Sequence, residues 1–467
     1  MRKVAFLTLV ALLLSVLVIP VSAQDEMLPY PSTHTECAVD LTGSTITIYH
    51  IGDLSGAYSF ITQPLVAAIT DALTYINANG GICGAELAQQ YEDTQGNLDN
   101  TQTFYDAFKR DYSDMKMLLL YASADSELLR DQMAQDEIVG LISAGSVDGL
   151  YGENADAPGW IFATNPLYVD QLGSFCNYIG AHADMYPDPT VGYLSWAGAF
   201  GQAAFQPETL AYCAEQGVTI LETPETFLPT DTDITTQVLN LVDAGANILY
   251  TNSLATGPVL IAETVRALGL EDQLQLAGVN WVMDTSVGLL SSGRAPADGL
   301  PAVNGMLGSM PFAWWTEVSN PGIAFIKQEA AANERGLSTQ NIAYILGWSS
   351  VDAIAEIYIQ TVNRVGSLDA VTGAELKATT EALDYSPMQL LHMSYGEDGQ
   401  LRAVTGNRIA QMAFLNATGT GPATSRDDVM VVPNPNGGEL MIPIVIPMED
   451  FAPAPDLRPG GADVPAM

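Results

Sequence analysis

The chain has 467 residues, 48% of them apolar, and its formal net charge is −38 from 54 acidic and 16 basic side chains. At roughly 150 residues per domain, that length predicts two or three domains, each with enough apolar residues for its own core. The charge excludes nucleic acid as a partner, because its phosphates would be repelled, and it disfavours anionic membrane surfaces.

The first 23 residues have the pattern of a secretory signal peptide. Met1-Arg2-Lys3 is basic, the run from Val4 to Pro20 is apolar, and Val21-Ser22-Ala23 is a small-x-small cleavage motif. We therefore predict export with cleavage after Ala23. A retained membrane anchor is the alternative, because the apolar run approaches the ~20 residues that span a bilayer.

Strands and helices alternate in the part of the chain that follows. A predicted strand at 44–50 leads into a loop at 52–56 and then a helix with apolar residues spaced by three and four, with Pro64 in its first turn. Asn79-Gly80-Gly81 is typical of a left-handed helix end. Further predicted strands are "AELAQQYED", "MKMLLLYAS" and "IVGLISAGS", separated by the helices "NTQTFYDAFKRDY" and "SELLRDQMAQDE".

The same alternation begins again near residue 166 without a flexible linker. The predicted strands there include "TVGYLSW", "VTILETPETF", "ANILYTNS" and "QLQLAGVNW". "HMSYGEDGQLRA" predicts a hairpin that turns at Glu397-Asp398-Gly399. From about residue 418 Gly, Pro and Asn dominate, "MIPIVIP" is a predicted edge strand, and residues 447–467 are a predicted mobile tail. The alternation indicates doubly wound parallel sheets.

Four cysteines are present, namely Cys37, Cys83, Cys176 and Cys213. An even number in an exported chain favours disulfides, and four cysteines allow three pairings. No C-x-x-C motif occurs, so we expect neither a zinc site nor a redox dithiol.

Several motifs occur in an order and spacing that resemble a known family. They include "IGDLSG", "INANGGICG", "YEDTQGN", "GWIFATNP" and "YILGWSSVDAI". Over residues 44–417 the chain resembles the branched-chain amino-acid binding proteins, which are type I periplasmic substrate-binding proteins of ABC importers. The resemblance implies an α/β fold of two doubly wound parallel-sheet lobes joined by three hinge crossings, which close on a small ligand.

The resemblance also implies a division of the chain. We expect a signal peptide at 1–23, a first lobe from 24–165 and 309–395, and a second lobe from 166–308 and 396–417. Residues 418–467 are an expected C-terminal extension that is partly disordered. In parallel sheets ligands bind at the carboxyl ends of the strands, so two such edges that face each other form a cleft.

The resemblance places ligand-binding loops at three strand ends of the first lobe. The candidate residues are Asp53, Ser55, Ser123, Ala124, Asp125, Gly145 and Ser146. Asp53 either holds a ligand ammonium or caps a turn, and Asp125 either contacts the ligand or caps a helix. Where the family commonly has a threonine for the ammonium, this chain has Val147, which weakens the prediction of an α-amino-acid ligand.

In the second lobe the candidates are Phe200, Asn252, Ser253, Asn280 and Trp281, with Tyr344 on a late helix. Phe200 stands where the family usually has a tyrosine, with Trp196 nearby, and the alternatives are an aromatic lid or core packing. Asn280 is neutral where amino-acid binders often carry an acid. Amides, urea-like compounds, short acids and aromatic acids therefore all remain open as ligands.

The predicted function is that of a monomeric periplasmic or secreted solute-binding protein that captures a small polar or amino-acid-like ligand by hinge closure and delivers it to an ABC permease. A sensory protein that reports to a membrane receptor and an adhesive protein without a working cleft are the alternatives. We expect no enzyme activity, cofactor or metal, since the four histidines match no H-E-x-x-H pattern and no G-x-S-x-G, Walker or G-x-G-x-x-G motif occurs.

The winding of the sheets also predicts the disulfides. Cys176 and Cys213 lie on consecutive helices that flank one strand, so they should lie side by side. We pair Cys37 with Cys83, which would tie the N-terminal segment to the turn after the first helix.

Overall fold

The computed structural model describes residues 28–155, 157–396, 398–434 and 437–466. The predicted signal peptide at 1–23 lies outside these residues.

The first sheet has five parallel strands. The elements in chain order are β1 (Thr45–Gly52), α1 (Ser59–Ala78), β2 (Glu86–Asp93), α2 (Leu98–Asp111), β3 (Met117–Leu120), α3 (Ser123–Gln135), β4 (Val139–Ile142), α4 (Val147–Tyr151) and β5 (Ile161–Ala163). The strand order is β2-β1-β3-β4-β5, which places the carboxyl ends of β1, β3, β4 and β5 along one edge.

The second sheet begins with a further parallel unit. Its elements are α5 (Tyr168–Ala181), β6 (Thr190–Trp196), α6 (Ala199–Gln202), α7 (Pro207–Glu215), β7 (Thr219–Ile220), β8 (Glu225–Phe227), α8 (Thr235–Asp243), β9 (Ile248–Thr251), α9 (Thr256–Ala267), β10 (Gln275–Gly278), α10 (Thr285–Ser292) and β11 (Leu307–Ser309). The order β11-β10-β9-β6-β7 is parallel, with β8 also paired to β6. A 3₁₀ turn at Asn280–Met283 follows β10.

The remaining elements return to the first unit and then to the second. They are α11 (Pro321–Ala332), α12 (Ile342–Val365), α13 (Gly373–Glu381), β12 (Asp384–Tyr385), β13 (Met393–Ser394), β14 (Gly406–Asn407), β15 (Ile409–Phe414), β16 (Val431–Pro433), β17 (Glu439–Met441), β18 (Pro443–Pro447) and β19 (Ala452–Pro453). Helix α12 packs along α1, whereas β15 and β18 extend the second sheet antiparallel beyond β11. The chain thus passes between the two units three times, and the predicted two-lobed α/β fold is confirmed.

Helix α1 begins earlier than the sequence predicts, and Pro64 lies in its interior rather than its first turn. Proline has no N–H, so it cannot donate to the carbonyl four residues earlier. That carbonyl, on Phe60, instead accepts a hydrogen bond from Asn341 Nδ2 at 3.3 Å. The predicted end of the helix is confirmed, because Gly80 and Gly81 have positive φ and the Gly81 N–H returns to the Ile76 carbonyl.

Two other local predictions are wrong. The predicted strand "VTILETPETF" is broken into β7 and β8, which contact different stretches of β6. In place of the predicted hairpin strands, β13 pairs with the preceding β12 and the Leu401 N–H donates to the Tyr395 carbonyl; the predicted turn residue Glu397 lies outside the described residues.

Both predicted disulfides are present. Cys37 is bonded to Cys83, and Cys176 is bonded to Cys213 between α5 and α7. The second bridge is fully buried in the core of the second lobe.

Helix α12 is the central helix of the first lobe. Among the described residues it is the one helix long and apolar enough to span a membrane, but it lies in the core with 94% of its apolar window buried. The N-terminal segment lies against it, where the Tyr30 hydroxyl donates to the Trp348 carbonyl and Ser32 donates to the buried Asp352 carboxylate.

The C-terminal segment contacts both lobes. β18 is the edge strand of the second sheet, as the pattern of "MIPIVIP" predicts. Further on, the buried Leu457 donates its N–H to Asp170 on α5, and the Arg458 guanidinium lies 4.8 Å from the ring centre of Tyr151 on α4. The predicted lobe boundaries and the predicted partial disorder of 418–467 stay predictions.

Candidate functional site

The carboxyl-terminal strand ends of the two sheets meet at one place, which we call the cleft. Tyr168, at the start of α5, accepts a hydrogen bond from the Trp281 indole N–H at 3.2 Å. Burial raises the pKa of Tyr168, while Trp281 and the Ser123 hydroxyl of the opposite lobe oppose the rise. Helix α3 of the first lobe also contacts α6 of the second lobe, so the two lobes touch each other across the cleft.

The loop after β1 is held by Asp53. Its carboxylate accepts hydrogen bonds from the backbone N–H groups of Ser55, Gly56 and Tyr58. Ser55 is exposed, and its hydroxyl helps to lower the pKa of Asp93, against the effect of partial burial. Asp53 therefore makes the contacts of a turn cap, and its binding of a ligand ammonium stays a prediction.

The loop after β3 brings Ser123, Ala124 and Asp125 to the start of α3. Ser123 Oγ is buried without a hydrogen-bond partner of normal length, although it lies close enough to Tyr168 to affect its pKa. Ala124 is half-buried, and Asp125 accepts a hydrogen bond from the Thr101 hydroxyl at 2.7 Å. Burial raises the pKa of Asp125 to about 6, and repulsion from Asp53 adds to the effect.

This raised pKa predicts a pH dependence of stability. Between about pH 4 and pH 6 the folded protein retains a proton on Asp125 that the unfolded chain has released, so the free energy of unfolding falls as the pH rises through this window. In Asp125→Asn that loss is absent. Between about pH 4 and pH 6 the free energy of unfolding of the variant should therefore rise by about 3 kcal/mol relative to that of the wild type, and above about pH 6 the difference should stay constant.

Urea unfolding at several pH values measures this difference, and subtracting the two curves removes the contribution of the other acids. Asp243→Asn, at an exposed position that ends α8, is the matched control and should run parallel to the wild type. A parallel curve for Asp125→Asn would contradict the assignment.

The residues of the loop after β4 make their contacts with other residues of the first lobe. Ser146 caps α4, since its Oγ accepts from the Gly149 N–H at 3.2 Å and donates to Glu127 at 2.6 Å. Gly145 lies against Leu150, where a Cβ would come within 2.9 Å of that side chain. Val147 packs in the core, so this loop offers few free polar atoms to a ligand.

In the second lobe, Phe200 and Asn252 lie side by side. Phe200 has ring-centre distances of 5.3 Å to Tyr168 and 6.2 Å to Tyr58 of the first lobe. Asn252 Nδ2 donates to the Phe200 carbonyl at 2.9 Å, whereas its Oδ1 is buried without a partner. Ser253 is buried and shares a hydrogen bond with the Thr251 hydroxyl.

Asn280 presents a whole amide group to the cleft. Its side chain is fully buried, and neither Oδ1 nor Nδ2 has a hydrogen-bond partner among the described residues. Its backbone N–H is held at 2.9 Å by Gln171 Oε1.

Tyr344 makes no described contact with these residues of the cleft. Its hydroxyl donates to Asp71 on α1 at 2.7 Å, and Arg335 binds the same carboxylate with two hydrogen bonds of 2.8 and 2.6 Å. Tyr344 thus contributes to the packing of α1 against α12.

Two further residues lie at strand ends, namely Asn165, which the sequence did not single out, and Trp196, which it named only as a neighbour of Phe200. Asn165, just after β5, is fully buried and has no partner for either amide atom, and Trp196, the last residue of β6, has a buried indole N–H without a partner. The strand-end rule alone would have selected both. Trp196 joins Asn252 and Asn280, because β6, β9 and β10 are neighbours in the second sheet, whereas Asn165 follows a strand of the first sheet.

The cleft therefore combines aromatic rings with neutral hydrogen-bonding groups. No group of three or more potential metal ligands occurs among the residues that the structure describes. Two facing α/β lobes with unpaired polar groups between them define a two-lobed ligand-binding protein.

Comparison with known families identifies the family of the chain. A model of the periplasmic binding protein family matches residues 45–421, and the chain belongs to that family. The family is a class of solute-binding proteins, which work outside the cytoplasm and alongside ABC transporter permeases. No curated protein sequence matches the chain significantly.

Solved structures share the fold at low sequence identity. A branched-chain amino acid ABC transporter protein from Thermus thermophilus with bound valine has a TM-score of 0.68 and 17% identity, covering 87% of this chain and 97% of its own. A fatty acid ABC transporter substrate-binding protein from Thermomonospora curvata has a TM-score of 0.66 and 16% identity, and the match covers 92% of this chain and 97% of that protein. A solute-binding protein from Rhodopseudomonas palustris BisB5 in complex with 3,4-dihydroxy benzoic acid has a TM-score of 0.62 and 14% identity, and the match covers 88% of this chain and 98% of that protein.

Proposed function

We propose that this chain is an exported, non-catalytic solute-binding protein that captures a small polar ligand by closure of its two lobes and delivers it to an ABC importer. In this proposal residues 1–23 are a cleaved signal peptide, residues 24–165 with 309–395 and 166–308 with 396–417 are the two lobes, and the protein acts as a monomer. The family membership and the similarity to substrate-binding proteins of ABC transporters support delivery to an importer.

One observation supports the capture step: several buried polar atoms without partners among the described residues lie at or just after the carboxyl-terminal ends of strands in both sheets. They are the amide groups of Asn165 and Asn280, the Oδ1 of Asn252 and the indole N–H of Trp196. A buried polar atom without a hydrogen bond costs about 1–3 kcal/mol, so a molecule that satisfies several of them stabilises the closed form.

Native mass spectrometry of the purified full-length protein tests capture. We expect a small molecule to co-purify with the wild type, and Asn280→Ala to lose it or to bind it roughly tenfold more weakly, because one buried amide no longer contributes its hydrogen bonds. Asn240→Ala on α8 is the matched control, since that amide bonds to Glu225 at the surface.

If no species co-purifies and no small-molecule panel raises the melting temperature, capture is wrong. If Asn280→Ala and Asn240→Ala retain the ligand equally, the cleft is not its site.

A further inference from the structure

From the chemistry of the cleft we infer that the ligand is an uncharged molecule with hydrogen-bond donors and acceptors of the amide or hydroxyl type, rather than a carboxylate or an ammonium compound. The inference rests on the proposed function and names the ligand class for the same cleft.

The first step is that the Lys and Arg side chains of the described residues already bind oxygen atoms of the protein. Arg2 and Lys3 precede the described residues, and each of the other fourteen Lys and Arg side chains has an oxygen partner elsewhere. Twelve of these form ion pairs with Asp or Glu. Lys116 and Lys327 donate to the carbonyls of Ser113 and Trp315. Twelve of the fourteen described cations are therefore already paired with an acid of the protein.

The second step concerns the first-lobe edge of the cleft, where an anion would be repelled. Repulsion from Asp53 adds to the raised pKa of Asp125, and the Tyr58 N–H donates to the Asp53 carboxylate at 3.1 Å. The backbone N–H groups of Asp125 and Ser126 at the start of α3 donate to the Ala122 carbonyl, whereas the Ser123 hydroxyl has no partner among the described residues. A carboxylate at this end of the helix would meet two acids.

An ammonium ligand is disfavoured for a different reason. Asp53 already accepts hydrogen bonds from three backbone N–H groups, and Asp125 accepts one from Thr101 on α2. An ammonium group would have to share these carboxylates with their present donors in exchange for its lost hydration.

The third step is the mixed character of the groups that lack partners. Asn165 and Asn280 each offer a carbonyl and an NH₂, Asn252 offers a carbonyl because its NH₂ is fixed by Phe200, and Trp196 offers an N–H. A carboxylate has only acceptors and an ammonium only donors, so each would leave part of this set unpaired. A primary amide or a hydroxyl compound can pair with both kinds at once.

Three probes of the same shape test the ligand class: isobutyramide, isobutyrate and isobutylammonium, together with the aromatic set benzamide, benzoate and benzylammonium. Isothermal titration of the full-length protein should show that an amide binds at least about tenfold more tightly than its acid or its amine. Asn280→Ala should weaken amide binding by about tenfold, with Asn240→Ala unchanged.

Each outcome decides the question. If an acid or an amine binds more tightly than its amide, or if none of the six probes binds, the ligand class is wrong. Co-purification of a ligand in native mass spectrometry judges capture independently, so a co-purified carboxylate would overturn the ligand class and leave the proposed function standing.

Discussion

Asp352→Ala should lower the free energy of unfolding by about 3 kcal/mol or more, the largest effect that we expect from a single substitution. The Asp352 carboxylate is fully buried on α12 and accepts four hydrogen bonds, two from Ser32, one from the Tyr385 hydroxyl and one from the Met388 N–H. Removing it leaves buried donors short of partners and releases the N-terminal segment from the helix.

Urea denaturation followed by circular dichroism measures this loss. Asp352→Asn keeps the side-chain volume and one acceptor oxygen, so an intermediate loss is expected. Asp243→Ala, at an exposed site, should stay within about 0.5 kcal/mol of the wild type. A loss below 1 kcal/mol for Asp352→Ala, judged on the ~1 kcal/mol scale of ordinary substitutions, would show that the hydrogen bonds around Asp352 contribute little.

The second large effect is expected from the Cys176–Cys213 bridge. It joins residues 37 positions apart, and in the chain-entropy model closing a loop of that length stabilises the folded state by about 4 kcal/mol. The double variant Cys176→Ala/Cys213→Ala should therefore unfold at a much lower urea concentration. Small cavities at these two buried positions add to the loss.

Reduction of the wild type provides the control for this experiment. In reductant the wild type and the double variant should unfold at similar urea concentrations, because both then lack the Cys176–Cys213 and the Cys37–Cys83 bridges. Equal unfolding midpoints for the oxidised wild type and the double variant would be incompatible with a stabilising bridge.

Local patterns predicted most of the fold because they act over short distances. The 3–4 spacing of apolar residues located α1, and Asn79-Gly80-Gly81 located its end. The start of the helix was missed for a tertiary reason. Pro64 is tolerated in its interior because Asn341, 281 positions beyond Phe60, satisfies the carbonyl that the proline leaves open.

The site was predicted only in outline for a similar reason. The strand-end rule selects loops, but it does not say which polar side chains form hydrogen bonds within their own loop. Ser146 caps α4 and Asp53 caps the turn after β1, whereas Asn165 has no partner and was not singled out. Which atoms are left unpaired depends on packing between distant segments, and spacing along the chain does not reveal it.

The pairing of most Lys and Arg side chains with acids has a consequence for how quickly a ligand reaches the cleft. Since twelve of the fourteen described Lys and Arg side chains are bound to acids and the chain still carries a net charge of −38, the field outside the protein is negative. Anions are slowed on approach and cations accumulate around the surface. The encounter rate of an uncharged molecule is unaffected by this field and by the ionic strength that screens it.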